Sequence, residues 1–246
     1  MNTLTKRFAR WALAATLALP TLVSAYVLGG ANNKWGSSTL GTGATISWSL
    51  TGSITCSFEG SATCSPLSSF MPSGFLTEIN AAFSAWSNVA NLTFVQVVDN
   101  GVAAGAAGAN ADIRISGLPL DGGGGVLAYA YFPPPPNSNS ITGDMFFDKA
   151  EPWDIGFAGG GFSIFQVVAH ELGHALGLEH TGVPNSLMNP FYTEAFSGPQ
   201  SDDIAGMQAL YGLRVANDVP EPTTLALMGL ALAALGLRRR STQRQA

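Results

Sequence analysis

The chain has 246 residues, of which 46% are hydrophobic and 11% are charged, and its formal net charge is −5. Between residues 26 and 222 only four basic residues stand against sixteen acidic ones, so this part of the chain carries a formal charge of −12. Such a surface repels nucleic acid and anionic membranes and suits cations such as calcium. We therefore expect no nucleic-acid partner.

The first 25 residues have the pattern of a secretory signal peptide. A basic start precedes an apolar run over residues 11–19 and small residues up to Ala25, after which cleavage is expected. A short membrane anchor is the alternative, but the apolar run is too brief to span a bilayer. The remainder predicts one domain over residues 26–213, followed by a linker over residues 214–222.

The first half of the predicted domain contains a strand, a cysteine pair and a helix. Residues 44–50 alternate apolar with small or polar side chains, as a half-buried strand does. Cys56 and Cys64 are the only cysteines. In an exported protein they are expected to close a small loop worth roughly 2–3 kcal/mol, with two free thiols as the alternative. A helix opening at Pro72 is predicted to bury Phe75, Leu76, Ile79, Phe83 and Trp86.

The middle of the chain alternates strand-like runs with loops. The glycine- and alanine-rich residues 101–110 predict a mobile loop, and residues 137–143 predict a turn. Prolines at positions 133–136 fit the end of an edge strand better than a central one. The predicted strands are residues 92–98, 112–115, 126–132 and 144–148.

Residues 170–180 contain all three histidines of the chain. On a helix, residues four apart lie on one face, so His170 and His174 would present two imidazoles to a single point. Glu171 lies beside that point, where a carboxylate can take a proton from a metal-bound water. Gly177 is typical of a helix end, and a turn there lets His180 return as a third ligand.

Three histidine nitrogens with an open fourth position are typical of catalytic zinc, because structural zinc sites are closed by four protein ligands. The alternative is a helix with two ordinary histidines and a third in the next loop, which the added glycine and third histidine disfavour. Ser163 is predicted to cap this helix, and Asp202 and Asp203 occupy the first turn of a last helix over residues 201–211. The metal helix is predicted to bury Ile164, Val167, Val168, Leu172 and Leu176.

Downstream of the metal motif, Met188 lies in the turn-like segment 186–190. Together the two features resemble the metzincin zinc peptidases, with Met188 at the position of their Met-turn methionine beneath the metal. Within that group the chain is most similar to the matrixins, the matrix metalloproteinase group. The similarity rests on the order and spacing of residues 111–113, 121–131, 143–148, 151–153, the metal motif, 202–206 and 210–212.

The resemblance implies an α+β fold of the metzincin type. Its parts would be a twisted, mostly parallel sheet with an antiparallel edge strand, a covering helix, the zinc-binding helix, the Met-turn and a C-terminal helix. The implied activity is hydrolysis of peptide bonds in protein or peptide substrates. His170, His174 and His180 would hold zinc as neutral imidazoles, and Glu171 would act as general base.

Substrate contacts follow from the same resemblance. An extended peptide would add to the edge strand through main-chain hydrogen bonds, and an apolar residue is expected after the cut. The implied contacts are Val126, Leu127, Ala128 and Tyr129 on the strand, and Pro190, Phe191 and Tyr192 at the pocket for the residue after the cut.

The resemblance also implies two calcium sites, for which carboxylates and glycine-rich backbone supply the hard oxygen ligands that calcium prefers. The first would use Asp121, Asp148 and Glu151 with the backbone carbonyls of Gly122, Gly124 and Val126. The second would use Asp112 and Asp144. The alternative in both places is a set of solvated loop acids.

A structural zinc is not expected. Matrixins bind it through histidines in the loop after the strand of Asp112 and in the next two strands. Here that loop is shortened to residues 116–120, and Tyr129 and Phe146 stand where the strand histidines would be. We therefore expect one zinc per chain. The family's cysteine-based latency is not expected either, because no cysteine lies between Ala25 and the domain.

At the other end of the chain, an apolar run and three arginines make residues 223–240 a predicted sorting or anchor segment. Together with residues 219–222, Val-Pro-Glu-Pro, this resembles the PEP-CTERM sorting signal of Gram-negative bacteria. It implies export to the cell surface or extracellular matrix, transient membrane association and contact with the export and sorting machinery. A plain C-terminal membrane anchor is the alternative.

Two other functions compete with the peptidase. A surface or biofilm-matrix protein would use the metal only to stabilise its fold, but a structural site needs no base such as Glu171. A zinc hydrolase acting on another substrate would keep the metal site and need a different cleft.

Overall fold

The computed structural model describes residues 25–30, 33–56, 62–135, 140–157 and 159–215. Residues 1–24 of the predicted signal peptide and the C-terminal sorting segment lie outside the described residues. Among the helices that are described, none is both long enough and apolar enough to cross a membrane.

The predicted strands and helices appear in the predicted order, together with six short strands that the sequence did not predict. The strands are β1 (Val27–Leu28), β2 (Ala44–Leu50), β3 (Ile54–Cys56), β4 (Ala62–Cys64), β5 (Leu92–Gln96), β6 (Ile113–Leu118), β7 (Ala128–Ala130), β8 (Met145–Asp148), β9 (Trp153–Asp154), β10 (Phe162–Ser163) and β11 (Leu178–Glu179). The helices are α1 (Phe75–Val89), α2 (Ile164–Ala175) and α3 (Ser201–Tyr211), with a 3-10 turn at Leu67–Ser69.

The central sheet has five strands in the order β5-β2-β6-β8-β7. β2 pairs in parallel with β5 and β6, and β6 pairs in parallel with β8. In this sheet only β7 runs antiparallel, against β8. The predicted α+β fold, with a mostly parallel sheet and an antiparallel edge strand, is confirmed. The outer edge of β7 is left without a partner strand in the sheet.

Two strands end at residues other than those predicted from the sequence. β6 continues to Leu118, so the first part of the predicted loop 116–120 is strand, because β6 stays in register with β8 up to Asp148. β5 ends at Gln96 rather than at position 98, where the Val98 side chain is 88% exposed. Pairing partners across the sheet, rather than local composition, decide where each strand stops.

β7 is shorter than the predicted strand over residues 126–132. Its backbone hydrogen bonding nevertheless continues on both sides, because Asp148 N donates to Leu127 O and Tyr131 N donates to Asp144 O. The prolines after it end the strand, as their missing N–H groups predict. The segment from Leu127 to Tyr131 is therefore hydrogen-bonded along β8 and its flanking residues.

α1 and α2 pack against each other under the sheet. α1 begins at Phe75, after Gly74 in a left-handed conformation with φ 97°. Its predicted core residues Ile79 and Trp86 are fully buried, whereas Leu76 is 39% exposed and lies outside the core. Trp86 Nε1 donates to the carbonyl of Ala169 at 2.9 Å, which ties α1 to the metal helix.

A second, smaller apolar cluster lies on the other face of the sheet. The hairpin of β3 and β4 is closed by a disulfide between Cys56 and Cys64. Both sulfurs are buried, with Leu118 of β6 and Phe146 of β8 in the same cluster. This cluster fastens the hairpin to the sheet.

A buried ion pair holds the predicted mobile loop. Arg114 on β6 is 1% exposed, and its Nε and Nη2 atoms donate to Asp99 at 2.7 and 2.9 Å. Nη2 also donates to the carbonyl of Val102 at 2.7 Å. Residues 101–110 form no helix or strand, yet their first residues are anchored to the sheet. Burial alone would raise the pKa of Asp99, but the hydrogen bonds and charge of Arg114 bring it below its ordinary 3.8.

Replacing Asp99 by Asn should destabilise the domain, because Arg114 would keep its charge in a buried place without a counter-ion. We expect the free energy of unfolding at neutral pH to fall by about 3 kcal/mol. Because the pKa of Asp99 is lower in the folded chain, its contribution is present above 3.8 and is lost as the pH falls through the folded pKa. Urea denaturation at neutral and acidic pH measures both effects. Glu78→Gln on α1 is the control, and an equal, small loss in both variants would contradict the role of the pair.

Candidate metal centre and cleft

The three histidines converge on one point. α2 places the Nε2 atoms of His170 and His174 3.2 Å apart, and Nε2 of His180 lies 3.2 and 3.1 Å from them. Nitrogen ligands at the bond lengths of a tetrahedral zinc site are about 3.3 Å apart. Among the described residues, these form the only group of three or more His, Cys, Asp or Glu side chains whose ligand atoms all lie within 4.8 Å of one another. The donor set and its spacing therefore fit zinc.

Backbone carbonyls orient the two helical ligands. Nδ1 of His170 donates to Leu187 O at 2.7 Å, and Nδ1 of His174 donates to Leu178 O at 2.8 Å. A proton on Nδ1 leaves the lone pair on Nε2 for the metal. Burial lowers the pKa of His170 to about 3 and that of His174 to about 4 in the metal-free chain, so both imidazoles are neutral at pH 7.

Glu171 lies beside the cluster. Its side chain is 5% exposed, it lines the same cleft as the histidines, and its Oε2 has no hydrogen-bond partner within the described part of the chain. Burial raises the pKa of Glu171 to about 8 in the absence of a metal. A buried carboxylate with an unused oxygen is suited to exchange protons with a molecule in the cleft.

Gly177 turns the chain back towards the histidines. Its φ is 111°, and a Cβ there would come within 2.2 Å of the carbonyl of Asn33. The following strand β11 pairs with β1, and His180 comes directly after it. The helix end predicted from this glycine is confirmed within two residues, because α2 ends at Ala175.

Two aromatic residues satisfy the last carbonyls of α2. Trp35 Nε1 donates to Ala175 O and the Tyr211 hydroxyl donates to Leu176 O, both at 2.8 Å. The backbone N–H of Trp35 donates in turn to the Tyr211 hydroxyl at 3.1 Å. Sequence reasoning missed both positioning residues, because they lie far from the motif along the chain.

Met188 lies under the metal helix. Its side chain is 2% exposed, and a Cβ at Gly173 would come within 2.4 Å of its Sδ atom. Glycine at position 173 therefore lets the methionine pack directly against α2. Thr181 N donates to Met188 O at 3.0 Å, which joins this turn to the segment that carries His180.

Asp203 holds that turn from α3. Its carboxylate accepts hydrogen bonds from Leu187 N at 2.7 Å, Met188 N at 3.0 Å and the hydroxyl of Ser186. It also accepts from Gln200 N at 2.8 Å, as part of the capping box of α3. From its position in the first turn of α3, Asp203 was predicted to interact favourably with the helix dipole. The structure shows that it also fixes the turn that contains Met188.

A cleft of about 670 Å³ runs past the histidines. All seven residues predicted to contact substrate line it: Val126, Leu127, Ala128, Tyr129, Pro190, Phe191 and Tyr192. Phe191 is 80% exposed and stands at the rim. Further lining residues that sequence reasoning missed are Phe162, Val167, Thr193 and Phe196, and we call this mainly apolar part of the cleft the pocket.

Tyr192 fixes one wall of this pocket. Its hydroxyl accepts a hydrogen bond from Ser163 N at 2.8 Å and donates to Glu194 at 2.9 Å. Its ring meets Phe162 edge-on, with 5.1 Å between ring centroids. Ser163 also caps α2 as predicted, since its side chain accepts from Gln166 N. The pocket wall and the start of the metal helix are thus one connected unit.

Comparison with known proteins decides the family. The sequence profile of the family described as Matrixin matches residues 48–212, which is more than half of the chain. The chain belongs to the matrixin family. Its metzincin-type α+β fold follows from this membership and agrees with the sheet order and the three helices.

Curated matrixins resemble the domain at about the same level. Matrix metalloproteinase-16 of Homo sapiens is 43% identical over 158 residues, covering 59% of this chain and 24% of that protein. Karilysin of Tannerella forsythia is 38% identical over 142 residues, covering 54% of this chain and 28% of that protein. Matrix metalloproteinase-26 of Homo sapiens is 38% identical over 162 residues, covering 61% of this chain and 56% of that protein. The chain thus spans about a quarter of the length of the first two of these relatives.

The PEP-CTERM protein-sorting motif matches residues 218–240. This confirms the resemblance seen at that end of the sequence. The motif indicates export and surface sorting in a Gram-negative bacterium.

The three acidic residues predicted for the first calcium site surround the loop over residues 121–126. Asp148 accepts from Gly122 N at 3.2 Å, and Glu151 Oε1 accepts from Gly124 N at 2.7 Å. Asp121 accepts from Val126 N at 3.1 Å. The carboxylates thus bind backbone N–H groups of the predicted ligand loop, and the buried Oε2 of Glu151 is left without a partner among the described residues.

The second calcium set is only partly assembled. The Asp112 carboxylate accepts from Ser47 N at 2.8 Å and from its hydroxyl at 2.7 Å, so it faces β2. The backbone carbonyl of Asp112 lies close to Gly143, because a Cβ added to that glycine would be 3.0 Å from the carbonyl oxygen. Asp144 is 1% exposed, its Oδ2 has no partner in the described structure, and burial raises its pKa well above 3.8. The Asp112 carboxylate is thus engaged by Ser47, and the assignment of Asp112 and Asp144 as calcium ligands stays a prediction.

Tyr129 and Phe146, which the sequence resemblance aligns with zinc-binding histidines, pack against each other. Tyr129 of β7 lies opposite Phe146 of β8, with ring centroids 5.3 Å apart. Tyr131 packs edge-on against both rings, at 5.9 and 6.3 Å. This corner of the domain is built by ring packing.

Replacing Asp203 by Ala should loosen the Met-turn, because buried N–H groups of Leu187 and Met188 would lose their acceptor. Hydrogen bonds to a charged group are worth about 1.5–3 kcal/mol each, so we expect the free energy of unfolding to fall by about 3 kcal/mol. Ser201→Ala, at an exposed position of the same helical turn, is the control. Thermal and urea denaturation compare the two, and a loss as small as the control's would refute the proposed role of Asp203.

Proposed function

We propose that the chain is an exported zinc-dependent endopeptidase. The observation that carries the proposal is the spacing of three histidine Nε2 atoms at 3.1–3.2 Å beside the buried carboxylate of Glu171. No fourth His, Cys, Asp or Glu among the described residues joins this cluster. Three protein ligands and an adjacent base are the requirements of a hydrolytic zinc site, whereas a structural site is closed and needs no base.

Zinc held by the three histidines would polarise the peptide carbonyl, acidify a coordinated water and, as a dication, favour the ionised form of Glu171. Glu171 takes a proton from the attacking water and delivers it to the nitrogen of the leaving amine. Its burial stabilises the protonated form between these two transfers, because desolvation raises the carboxyl pKa. His170 and His174 stay neutral and remain oriented by their carbonyl partners.

Substrate lies extended along the outer edge of β7, whose main chain has no partner strand on that side in the sheet. The residue after the cut enters the apolar pocket beside the histidines, between α2 and the segment after Met188. Phe162, Val167 and Tyr192 line this pocket. The proposed preference at this position is therefore an apolar side chain.

Membership of the matrixin family and the sorting motif together support action outside the cytoplasm. We place the domain at the cell surface or in the extracellular matrix, with the segment over residues 223–240 associating transiently with the membrane before processing. The proposed partners are the export and sorting machinery and protein or peptide substrates.

Calcium is proposed as a structural cofactor. Asp121, Asp148 and Glu151 lie around a glycine-rich loop. The backbone carbonyls of Gly122, Gly124 and Val126 in this loop are the other proposed oxygen ligands. A buried carboxylate oxygen without a partner, as at Glu151, is costly unless a cation or water meets it. The same argument supports a second ion at Asp144.

Replacing Glu171 by Ala tests the mechanism. The variant should retain zinc, because its three histidines are unchanged, and should lose about 10²–10⁴-fold in kcat/KM, because the positioned base is gone. Elemental analysis of the purified protein measures zinc, and a quenched fluorescent peptide measures cleavage. We expect one zinc per chain in both proteins.

Glu78→Ala on α1 is the control for loss of a carboxylate, and His180→Ala should lose both zinc and activity. Cleavage by the Glu171→Ala variant at the parent rate would refute the role of Glu171 as base. A zinc-loaded parent that cleaves no member of a mixed peptide library would favour a structural metal instead. Two zinc ions per chain would contradict the expected single site.

Calcium should raise the melting temperature of the domain, because a ligand that binds only the folded state stabilises it. Glu151→Gln should reduce this increase by at least half, while Asp154→Asn, which lies outside the predicted ligand sets, should leave it unchanged. Differential scanning fluorimetry with calcium or with a calcium-selective chelator gives the comparison. An equal calcium response in all three proteins would exclude the site at Glu151.

A further inference from the structure

Lys34 organises the loop that follows it. Its side chain is 3% exposed, and its ammonium donates to the carbonyls of Trp35, Ser37 and Thr42 at 3.1, 2.5 and 3.0 Å. An ammonium has three N–H groups, so these three bonds use all of them. The loop over residues 35–42 is therefore folded around one buried cation.

The same ammonium lies over the ring of Tyr211. Its Nζ atom is 4.8 Å from the ring centroid, a distance at which a cation is attracted to the face of the ring. Tyr211 is fully buried and is the last residue of α3, where the helix dipole also favours a positive charge. The backbone joins the loop to this helix end as well, since Gly41 N donates to the carbonyls of Ala209 and Leu210, both at 3.0 Å.

The two aromatic residues that Lys34 contacts are those that bind the end of the metal helix. Trp35 Nε1 donates to Ala175 O and the Tyr211 hydroxyl donates to Leu176 O, each at 2.8 Å. Trp35 N also donates to the Tyr211 hydroxyl at 3.1 Å, so the two residues act together. A displacement of either one would leave a carbonyl at this helix end without its donor.

We propose that Lys34 is a positioning residue of the metal centre, which fixes the end of α2 through Trp35 and Tyr211 and so keeps His180 on the metal; this rests on the proposed endopeptidase function. Lys34 does not line the cleft, so it acts on the histidines through the helix end. The role requires a compact cation, because the three carbonyls surround a single nitrogen atom.

Replacing Lys34 by Met tests this role, because methionine keeps an unbranched side chain and removes the charge and all three hydrogen bonds. Zinc-loaded full-length protein is mixed with an excess of a chromogenic chelator, well below the melting temperature of parent and variant, and the rate of zinc release is followed. Loss of a hydrogen-bond partner of a metal ligand costs roughly 10–100-fold in metal affinity. Lys34 lies further from the ligands, so we expect release to be faster by about threefold to tenfold.

Asp99→Asn is the control for a loss of stability alone. It disrupts the buried pair with Arg114 on the central sheet and should lower the free energy of unfolding, yet zinc release should keep the parent rate. A Lys34 that only stabilised the fold would give the same result as this control. A lower melting temperature with parent-like zinc release in Lys34→Met would therefore overturn the proposal.

A double-mutant cycle tests the path through Tyr211. Tyr211→Phe keeps the ring, removes the hydroxyl and should also speed zinc release. Because Lys34 acts through this residue, the double variant should release zinc more slowly than the product of the two single effects predicts. An effect equal to that product would refute the path and the proposal with it.

Lys34→Arg replaces Lys34→Met if the latter does not fold. A planar guanidinium keeps the charge but cannot direct its N–H groups to three carbonyls around one point, so faster release is again expected, and release at the parent rate would overturn the proposal. Zinc release does not depend on peptide cleavage. A parent that binds zinc and cleaves no peptide would refute the proposed function, while the release rates still decide the role of Lys34. A parent that binds no zinc would refute both.

Discussion

The metal centre depends on how the metal helix ends. A helix can place two histidines four residues apart, but the third reaches them only if the chain reverses directly after the helix. Gly177 makes that reversal, and its missing Cβ lets the N-terminal segment approach within hydrogen-bond reach. The carbonyls exposed at this end all find donors from remote parts of the chain: Trp35 for Ala175, Tyr211 for Leu176 and Gly29 for Gly177. A helix end left without such donors would be free to shift, and His180 would shift with it.

The remaining parts of the site are tied to the same point. Asp203 of α3 fixes the Met-turn, Met188 packs on the underside of α2, and the Met-turn carbonyl of Leu187 orients His170. The buried carboxylate of Asp203 therefore acts on the metal site through Leu187, which orients His170, and through Met188, which packs against α2. Burial keeps the imidazoles of His170 and His174 neutral, while backbone carbonyls hold their orientation. Glu171, which lines the same cleft, is a buried acid with an oxygen that no described group uses.

Local patterns in the sequence were enough to predict the features that depend on residues close in the chain. The spacing of His170, Glu171 and His174 predicts their common face, and the apolar period predicts the buried side of α2. Features that depend on distant partners were not predictable. β6 runs to Leu118 because β8 lies beside it, and nothing near Asp203 in the sequence distinguishes a residue that caps its own helix from one that holds a turn fifteen residues earlier. An acidic residue in a first turn serves either purpose.

The corner beneath β7 is held by aromatic packing and a disulfide. Tyr129, Tyr131 and Phe146 fill it, and the Cys56–Cys64 hairpin packs against the same cluster. A metal holds its ligands by a few strong directional bonds, while aromatic rings hold by contact area and tolerate small displacements. Tyr129 belongs to the same strand that would bind substrate, so the aromatic cluster supports that edge of the sheet. The disulfide and the ring packing are therefore linked, because Cys56 and Cys64 belong to the same buried cluster as Phe146, and Tyr129 and Tyr131 pack against it. An exported domain can rely on a disulfide at this position.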